Sequence, residues 1–174
     1  MARYIEIILE KRDVHCAAQL LDERAPRTCD AVWNALPQTG AVYHAKYASN
    51  EIYTLVSAFA EEEPGPEHRT IVPASGDVMY FLLSPGVALP SDAQHLNRDG
   101  RGVIDLAVFY DHYNLLLSPR EGLGPGNVFA RIVRNMEAVT AAGDNVWREG
   151  FAGEQMTYRR LEGEELKGWG LDQE

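Results

Sequence analysis

The apolar residues of this chain fall in many short runs separated by turn residues, and this spacing constrains the fold more than any other feature. About eight to ten runs have the length and composition of β-strands, while only two segments read as short helices. Few connections are long enough for the crossover that joins parallel strands. The pattern therefore predicts a mainly antiparallel, closed β-barrel of about eight strands, capped by two short α-helices.

The first predicted helix begins at Pro26, a residue that suits a helix entrance, and Thr28 is its expected cap. Its apolar residues recur with a spacing that forms one stripe: Cys29, Val32, Trp33 and Leu36. The second predicted helix covers residues 135–142 and is expected to stop at Gly143. Both helices are therefore expected to lie over the barrel core.

Polar and aromatic side chains concentrate in residues 40–58, which read as two strands joined at Ser49 and Asn50. Successive side chains of a strand point to opposite faces. The two strands carry most of the candidate functional residues: Tyr43, His44, Lys46, Glu51 and Tyr53.

The net charge of −10 argues against nucleic acid or an anionic membrane as a partner. The first residues become charged too soon for a secretory signal, and no apolar run approaches the roughly 20 residues of a membrane span, so we expect a cytoplasmic protein. Cys16 and Cys29 fit no zinc or redox spacing and are expected to be buried free thiols. The sequence predicts no cofactor and no metal site, because no motif for either is present.

We expect a single barrel domain over residues 1–162 and a polar C-terminal tail over residues 163–174. Residues 84–102 form a long connection rich in Pro, Gly and Asp, which is either functional or loose. With the apolar strand predicted at residues 78–83, this connection would suit a homo-oligomer, and self-association stays open.

His44 and Glu51 lie on neighbouring predicted strands around a tight turn, where they would be cross-strand partners. A His–Glu pair can act as a general acid and base, since the carboxylate raises the proton affinity of the imidazole. The same two residues would also form an ordinary ion pair at the surface of a hairpin. Both interpretations stay open.

Tyrosines are frequent on the central strands, and Tyr43, Tyr53 and Tyr110 are candidates for a ligand pocket, since the ring is apolar and the hydroxyl fixes orientation. Packing within the barrel is the alternative. His112 and Asn114 would share a face if their segment is extended, whereas a hairpin turn would give them no role in binding.

Two distant parts of the chain resemble cyclophilins. The first is Ala25-Pro26-Arg27-Thr28, followed by residues 32–36 with an aromatic residue and a leucine; the second is the strand of residues 128–133, followed by the helix start at residues 136–139. The centre differs, because no arginine follows His44 and no Gln-Gly-Gly occurs downstream. The guanidinium on which prolyl isomerisation depends is therefore missing.

The order of segments is similar to that of a bacterial cyclophilin-like family of unknown function, in which a Glu-Ile-Tyr strand precedes a Gly-Asp-Val strand. Here Glu51-Ile52-Tyr53 and Gly76-Asp77-Val78 occur in that order. The resemblance implies a small closed barrel and brings no established substrate.

These observations predict a binding module that holds a small polar metabolite or a short peptide at the barrel mouth, with Lys46 suited to an anionic group. The alternative is an enzyme that acts on an amide or cyclic amide, with His44 and Glu51 as acid and base; this alternative rests on analogy between folds. Prolyl isomerisation is the least favoured function, because the arginine on which it depends is missing.

Overall fold

Eight strands of the chain close into an antiparallel barrel, as the sequence predicts. The structure, a computed structural model, describes residues 2–171. The barrel strands follow the order β2-β1-β11-β3-β4-β7-β6-β10, and pairing between β10 and β2 closes the ring. A short strand, β5, is added beside β10, and β8 pairs with β9 as a separate hairpin.

The strands are β1 Tyr4–Leu9, β2 Val14–Leu20, β3 Gln38–His44, β4 Glu51–Ser57, β5 Arg69–Thr70, β6 Asp77–Leu83, β7 Val103–Phe109, β8 Leu117–Ser118, β9 Gly122–Leu123, β10 Gly126–Arg134 and β11 Gln155–Leu161. The helices are α1 Pro26–Ala35, α2 Met136–Glu149 and α3 Glu164–Gly168, and a 3₁₀ turn occupies Gln94–Asn97.

The barrel interior is filled by a packed apolar core. Inward-facing residues such as Ile52 and Val108 pack in one cluster with Val32 of α1 and Val139 of α2. The internal void found beside α2 holds only about 10 Å³. Both helices therefore cover the core. A ligand site is then expected on the outside of the barrel or at its rim.

The entrance of α1 is stabilised differently from the sequence prediction. Thr28 is not the cap, because no side chain of the helix entrance caps it. Instead Glu67, from the acidic loop of residues 60–68, accepts hydrogen bonds from the backbone N–H of Thr28 at 2.8 Å and from its hydroxyl at 2.9 Å. A carboxylate at this position also interacts favourably with the helix dipole.

Helix α2 does not stop at Gly143 as predicted but continues to Glu149. Gly143 is a contact residue: a Cβ atom placed there would lie 2.3 Å from the Tyr110 ring. The glycine therefore lets α2 approach the end of β7.

The predicted tail includes structure that its polar sequence did not indicate. Residues 163–171 contain α3, and Leu171 is buried with Tyr4, Ala17 and Leu161. Residue 1 and residues 172–174, which belong to the predicted domain and tail, lie outside the described residues. The domain boundary at residue 162 stays a prediction.

Candidate functional site

The pairing of β3 with β4 decides which side chains can meet. His44 lies opposite Ile52 and Tyr43 lies opposite Tyr53. Since opposite residues share a face and Ile52 belongs to the core, His44 is on the inner face of the sheet, while Tyr43 and Tyr53 are on the outer face.

The predicted pairing of His44 with Glu51 is wrong. Glu51 is one residue from Ile52 and therefore points to the outer face, away from His44. The hairpin is also longer than expected, because β3 ends at His44 and residues 45–50 form the connection. The two residues cannot act together as acid and base across the sheet.

His44 has a different partner, Tyr110, at the α2 end of the barrel. The Ala45 carbonyl accepts a hydrogen bond from Nδ1 at 2.8 Å, so Nδ1 carries the proton and Nε2 accepts from the Tyr110 hydroxyl at 2.7 Å. Burial lowers the pKa of His44 and raises the pKa of Tyr110 to about 12, and nearby Asp144 and Asp111 also raise the latter. The pair is therefore neutral at pH 7.

A pocket of about 420 Å³, here called the helix pocket, lies beside Tyr110. Its lining comes from the residues just before β4, the residues just after β7, and α2: Asn50, Tyr110, Asp111, Glu137, Thr140, Ala141 and Asp144. Three of these residues are acidic, and Lys46, the predicted anion contact, is exposed and does not line it. This pocket therefore does not suit an anionic ligand.

On the outer face, Tyr43 and Tyr53 stack with ring centroids 5.4 Å apart. Two apolar layers cover this face. One comes from the connection of residues 84–102 and packs on Tyr43 and Leu55, and the other, including Leu116, packs on β6 and β7. Tyr53 contacts both layers, so it lies where they meet.

Two carboxyl groups are buried on the same face. Glu51 is 6% exposed and Asp105 is 8% exposed. Burial raises the pKa of Glu51 to about 8. Burial and the charge of Glu51 raise the pKa of Asp105 well above its usual range. Burial and both carboxylates raise the pKa of Tyr53 as well. We call Tyr43, Glu51, Tyr53 and Asp105 the outer-face site.

A second pocket, here called the side pocket, adjoins the outer-face site and has a volume of about 450 Å³. It lies between β3, β4 and the connection of residues 84–102, and it includes Tyr43, Leu55, Asp92 and His95. Burial and the carboxylate of Asp92 raise the pKa of Tyr43 to about 12, so the hydroxyl is a hydrogen-bond donor at neutral pH.

The remaining predicted residues lie apart from this site. His112 is exposed. Asn114 is buried and structural: its side chain accepts from the Asn50 backbone N–H at 3.0 Å and donates to the Pro73 carbonyl at 3.1 Å. The structure thus groups Tyr43, Glu51 and Tyr53, and separately His44 and Tyr110.

Sequence reasoning missed Asp105, Asp92 and His95. Asp105 is the single charged residue in the otherwise apolar strand β7, VIDLAVF. This lone acid in an apolar run could have identified Asp105 as a candidate functional residue. A buried charge is energetically unfavourable unless it is paired, and functional sites are where such groups are retained. Asp92 and His95 belong to the long connection of residues 84–102. No local sequence pattern predicts where such a connection packs.

Within residues 2–171, no group of three or more His, Cys, Asp or Glu side chains is arranged to hold a metal ion. None of the helices in this part of the chain combines the length and the apolar composition that a membrane crossing requires.

Solved structures with a similar fold support the architecture. The structure of McbB in complex with tryptophan matches with a TM-score of 0.58 and 20% identity, and covers 91% of this chain and 45% of McbB. The chain thus spans less than half the length of McbB. The solution structure of the hypothetical protein AF2241 from Archaeoglobus fulgidus matches with a TM-score of 0.51 and 21% identity, over 91% of this chain and 95% of the other.

No curated protein sequence matches this chain. Residues 7–158 match the family described as "Protein of unknown function (DUF3830)". This match begins within β1, ends within β11 and includes every barrel strand between them. The chain therefore belongs to the DUF3830 family, whose function is unknown.

Proposed function

We propose that this protein binds a small polar molecule in the side pocket, on the outside of the barrel. The observation that carries the proposal is the pocket of about 450 Å³ with Tyr43 in its wall, stacked on Tyr53. Pockets of this size hold small molecules, and a few polar groups in an apolar lining fix their orientation. The polar side chains of the lining include Asp92 and His95, with Gln38, Thr39 and Ser57 from the strands.

The proposal keeps the predicted ligand class but moves the site. A position at the barrel mouth is disfavoured because α1 and α2 pack on the core at the ends. We retain the cyclophilin-like classification as part of the proposal, on the strength of the closed barrel with its covering helices. A role for Lys46 with an anion has no support, since its side chain is exposed on the connection after β3.

Catalysis by His44 and Glu51 has no support from the geometry, since the residues lie on opposite faces. The bond from Tyr110 also occupies the nitrogen of His44 that would accept a proton.

The test is a thermal-shift screen of amines, amides, carboxylates and short peptides, because a ligand that binds only the folded protein raises the unfolding midpoint. Tryptophan is included because McbB was solved in complex with it. The helix pocket provides the competing location.

Two matched variants locate the site of any hit. Ala41→Tyr fills the side pocket and Ala141→Tyr fills the helix pocket, and both positions are exposed alanines. We expect Ala41→Tyr to abolish the shift and Ala141→Tyr to preserve it. The reverse pattern, or no hit in any chemical class, would contradict the proposal.

A further inference from the structure

Glu51 and Asp105 differ from the other buried carboxylates of the protein. Glu6 is paired with Arg159, Asp77 with Arg131, and Glu154 with Arg12. Each of these acids therefore has a guanidinium that balances its charge. Across residues 2–171, the carboxyl groups of Glu51 and Asp105 have neither a hydrogen bond nor an ion pair, and Asp105 Oδ1 is fully buried.

Unpaired buried carboxyl groups are unfavourable. A buried polar atom without a partner costs about 1–3 kcal/mol, and an ionised group costs more. Burial raises the pKa of both groups and so favours their protonated, uncharged forms. Protonation removes the charge but leaves Asp105 Oδ1 without a donor. Any hydrogen-bond donor would satisfy this atom, and a donor with positive charge would also stabilise the ionised carboxylate.

The register shows how much space separates the two groups. Glu51 lies opposite Phe109, and Asp105 precedes Phe109 by four residues in β7. Their backbones are thus about 13 Å apart along the strand. The row between them is Tyr53 opposite Ala107, where alanine contributes only a methyl group.

Asp105 lies behind the wall of the side pocket and is not itself part of the lining. Its neighbours across the sheet are Leu55 and Phe81, and Leu55 is part of the pocket lining. The cover at this point is the connection of residues 84–102, whose Leu89 and Leu96 pack on the outer face. A ligand in the pocket has to displace these apolar side chains to reach the carboxyl group.

We propose that the ligand of the side pocket is an organic cation, a compound whose protonated amine pairs with Asp105. This inference rests on the proposed function and names the class of its ligand. Glu51 accepts a further N–H donor of the ligand where one is present. Tyr43 and Tyr53 provide ring faces that also favour a cation. Pairing replaces the proton of Asp105, so binding at neutral pH releases a proton to solvent.

The experiment uses matched sets of probes that share a framework and differ in one group. The first set is phenethylamine, 2-phenylethanol and 3-phenylpropanoate, and the second is n-butylamine, n-butanol and butanoate. Affinities for the full chain are measured by calorimetry at pH 7 in two buffers with different heats of ionisation, which reveals proton release.

We expect the amine of at least one set to bind about tenfold or more tighter than its alcohol, as for a hydrogen bond to a charged group, and to release a proton. Asp105→Asn should abolish both the preference and the proton release while retaining the fold, because asparagine resembles the protonated acid. Asp144→Asn, an exposed acid on α2, is the control and should change neither.

Three outcomes overturn the inference: a preference for the carboxylates or alcohols, an amine preference that survives in Asp105→Asn, or amine binding without proton release. The proposed function survives each of these if Ala41→Tyr still abolishes binding. A fourth outcome, failure of all six probes, also overturns the inference, and together with an empty thermal-shift screen it overturns both proposals.

Discussion

At the scale of single residues, the most informative feature is the carboxyl group of Glu51, whose pKa is raised by burial from 4.5 to about 8. The folded state holds this proton more tightly than the unfolded state. This contribution to the free energy of unfolding is fully present below pH 4.5, the ordinary pKa of the group. It is lost as the pH rises toward about 8, the pKa in the folded protein.

Glu51→Gln removes this titration. Relative to the wild type, the variant should gain on the order of 3 kcal/mol in the free energy of unfolding between about pH 5 and pH 9. Urea denaturation across this range measures the difference. Glu121→Gln, an exposed control, should follow the wild type at each pH. Parallel curves for Glu51→Gln and wild type would show that Glu51 is not held protonated.

Tyr110 offers a second test at this scale. Tyr110→Phe keeps the ring against Gly143 but leaves Nε2 of His44 without its donor. We expect a loss of about 1–3 kcal/mol in the free energy of unfolding. Tyr113→Phe is the matched control, because Tyr113 is 97% exposed and should contribute nothing measurable. Equal stabilities for the two variants would rule out a stabilising His44–Tyr110 bond.

The individual residues show where reading the sequence succeeds. The period of two within each strand separates Tyr43 from His44 and Glu51 from Ile52, as in the structure, but it does not decide which faces of the two strands meet. His44 and Glu51 were mispaired because the connection of residues 45–50 is longer than a tight turn, and a shift of one residue moves a side chain to the opposite face. Asn114 could not be recognised as structural, since its partners are backbone groups of distant loops.

At the scale of elements, α2 depends on a close approach to the barrel. Gly143→Ala would gain up to about 1 kcal/mol in helix propensity. Its Cβ atom would lie 2.3 Å from the Tyr110 ring, which His44 holds in place. Overpacking of this kind costs about 1–3 kcal/mol, and we expect net destabilisation in thermal unfolding.

Gly168→Ala in α3 is the control for this substitution, because nothing lies near its Cβ position. It should leave the midpoint unchanged or raise it slightly. A stabilised Gly143→Ala would mean that α2 is not seated against β7 as described.

The elements were largely predictable, and the exceptions have physical causes. The periodicity of two and the apolar stripe of α1 follow from local sequence, so the strands and this helix were found. The end of α2 was misplaced because Gly143 is a packing residue and not a helix stop. The cap of α1 comes from Glu67, which is far along the chain and gives no local signal.

At the scale of the whole molecule, the barrel separates two surroundings that the sequence alone could not distinguish. The inner face is a packed core that ends at His44 and Tyr110 beneath α2. The outer face of β3, β4 and β7 bears the tyrosines, the unpaired carboxyl groups and the side pocket. The number of strands and their closure were predictable from short antiparallel runs, but the cover formed by residues 84–102 was not.

The central claim is that the ligand binds on this outer face. The most direct measurement is the map of backbone amide chemical shifts during titration of the isotope-labelled protein with the tightest-binding probe. We predict that the largest changes occur at Tyr43, Leu55, Ala93 and Asp105. Changes confined to Asn50, Tyr110 and Thr140, around the helix pocket, would contradict the account.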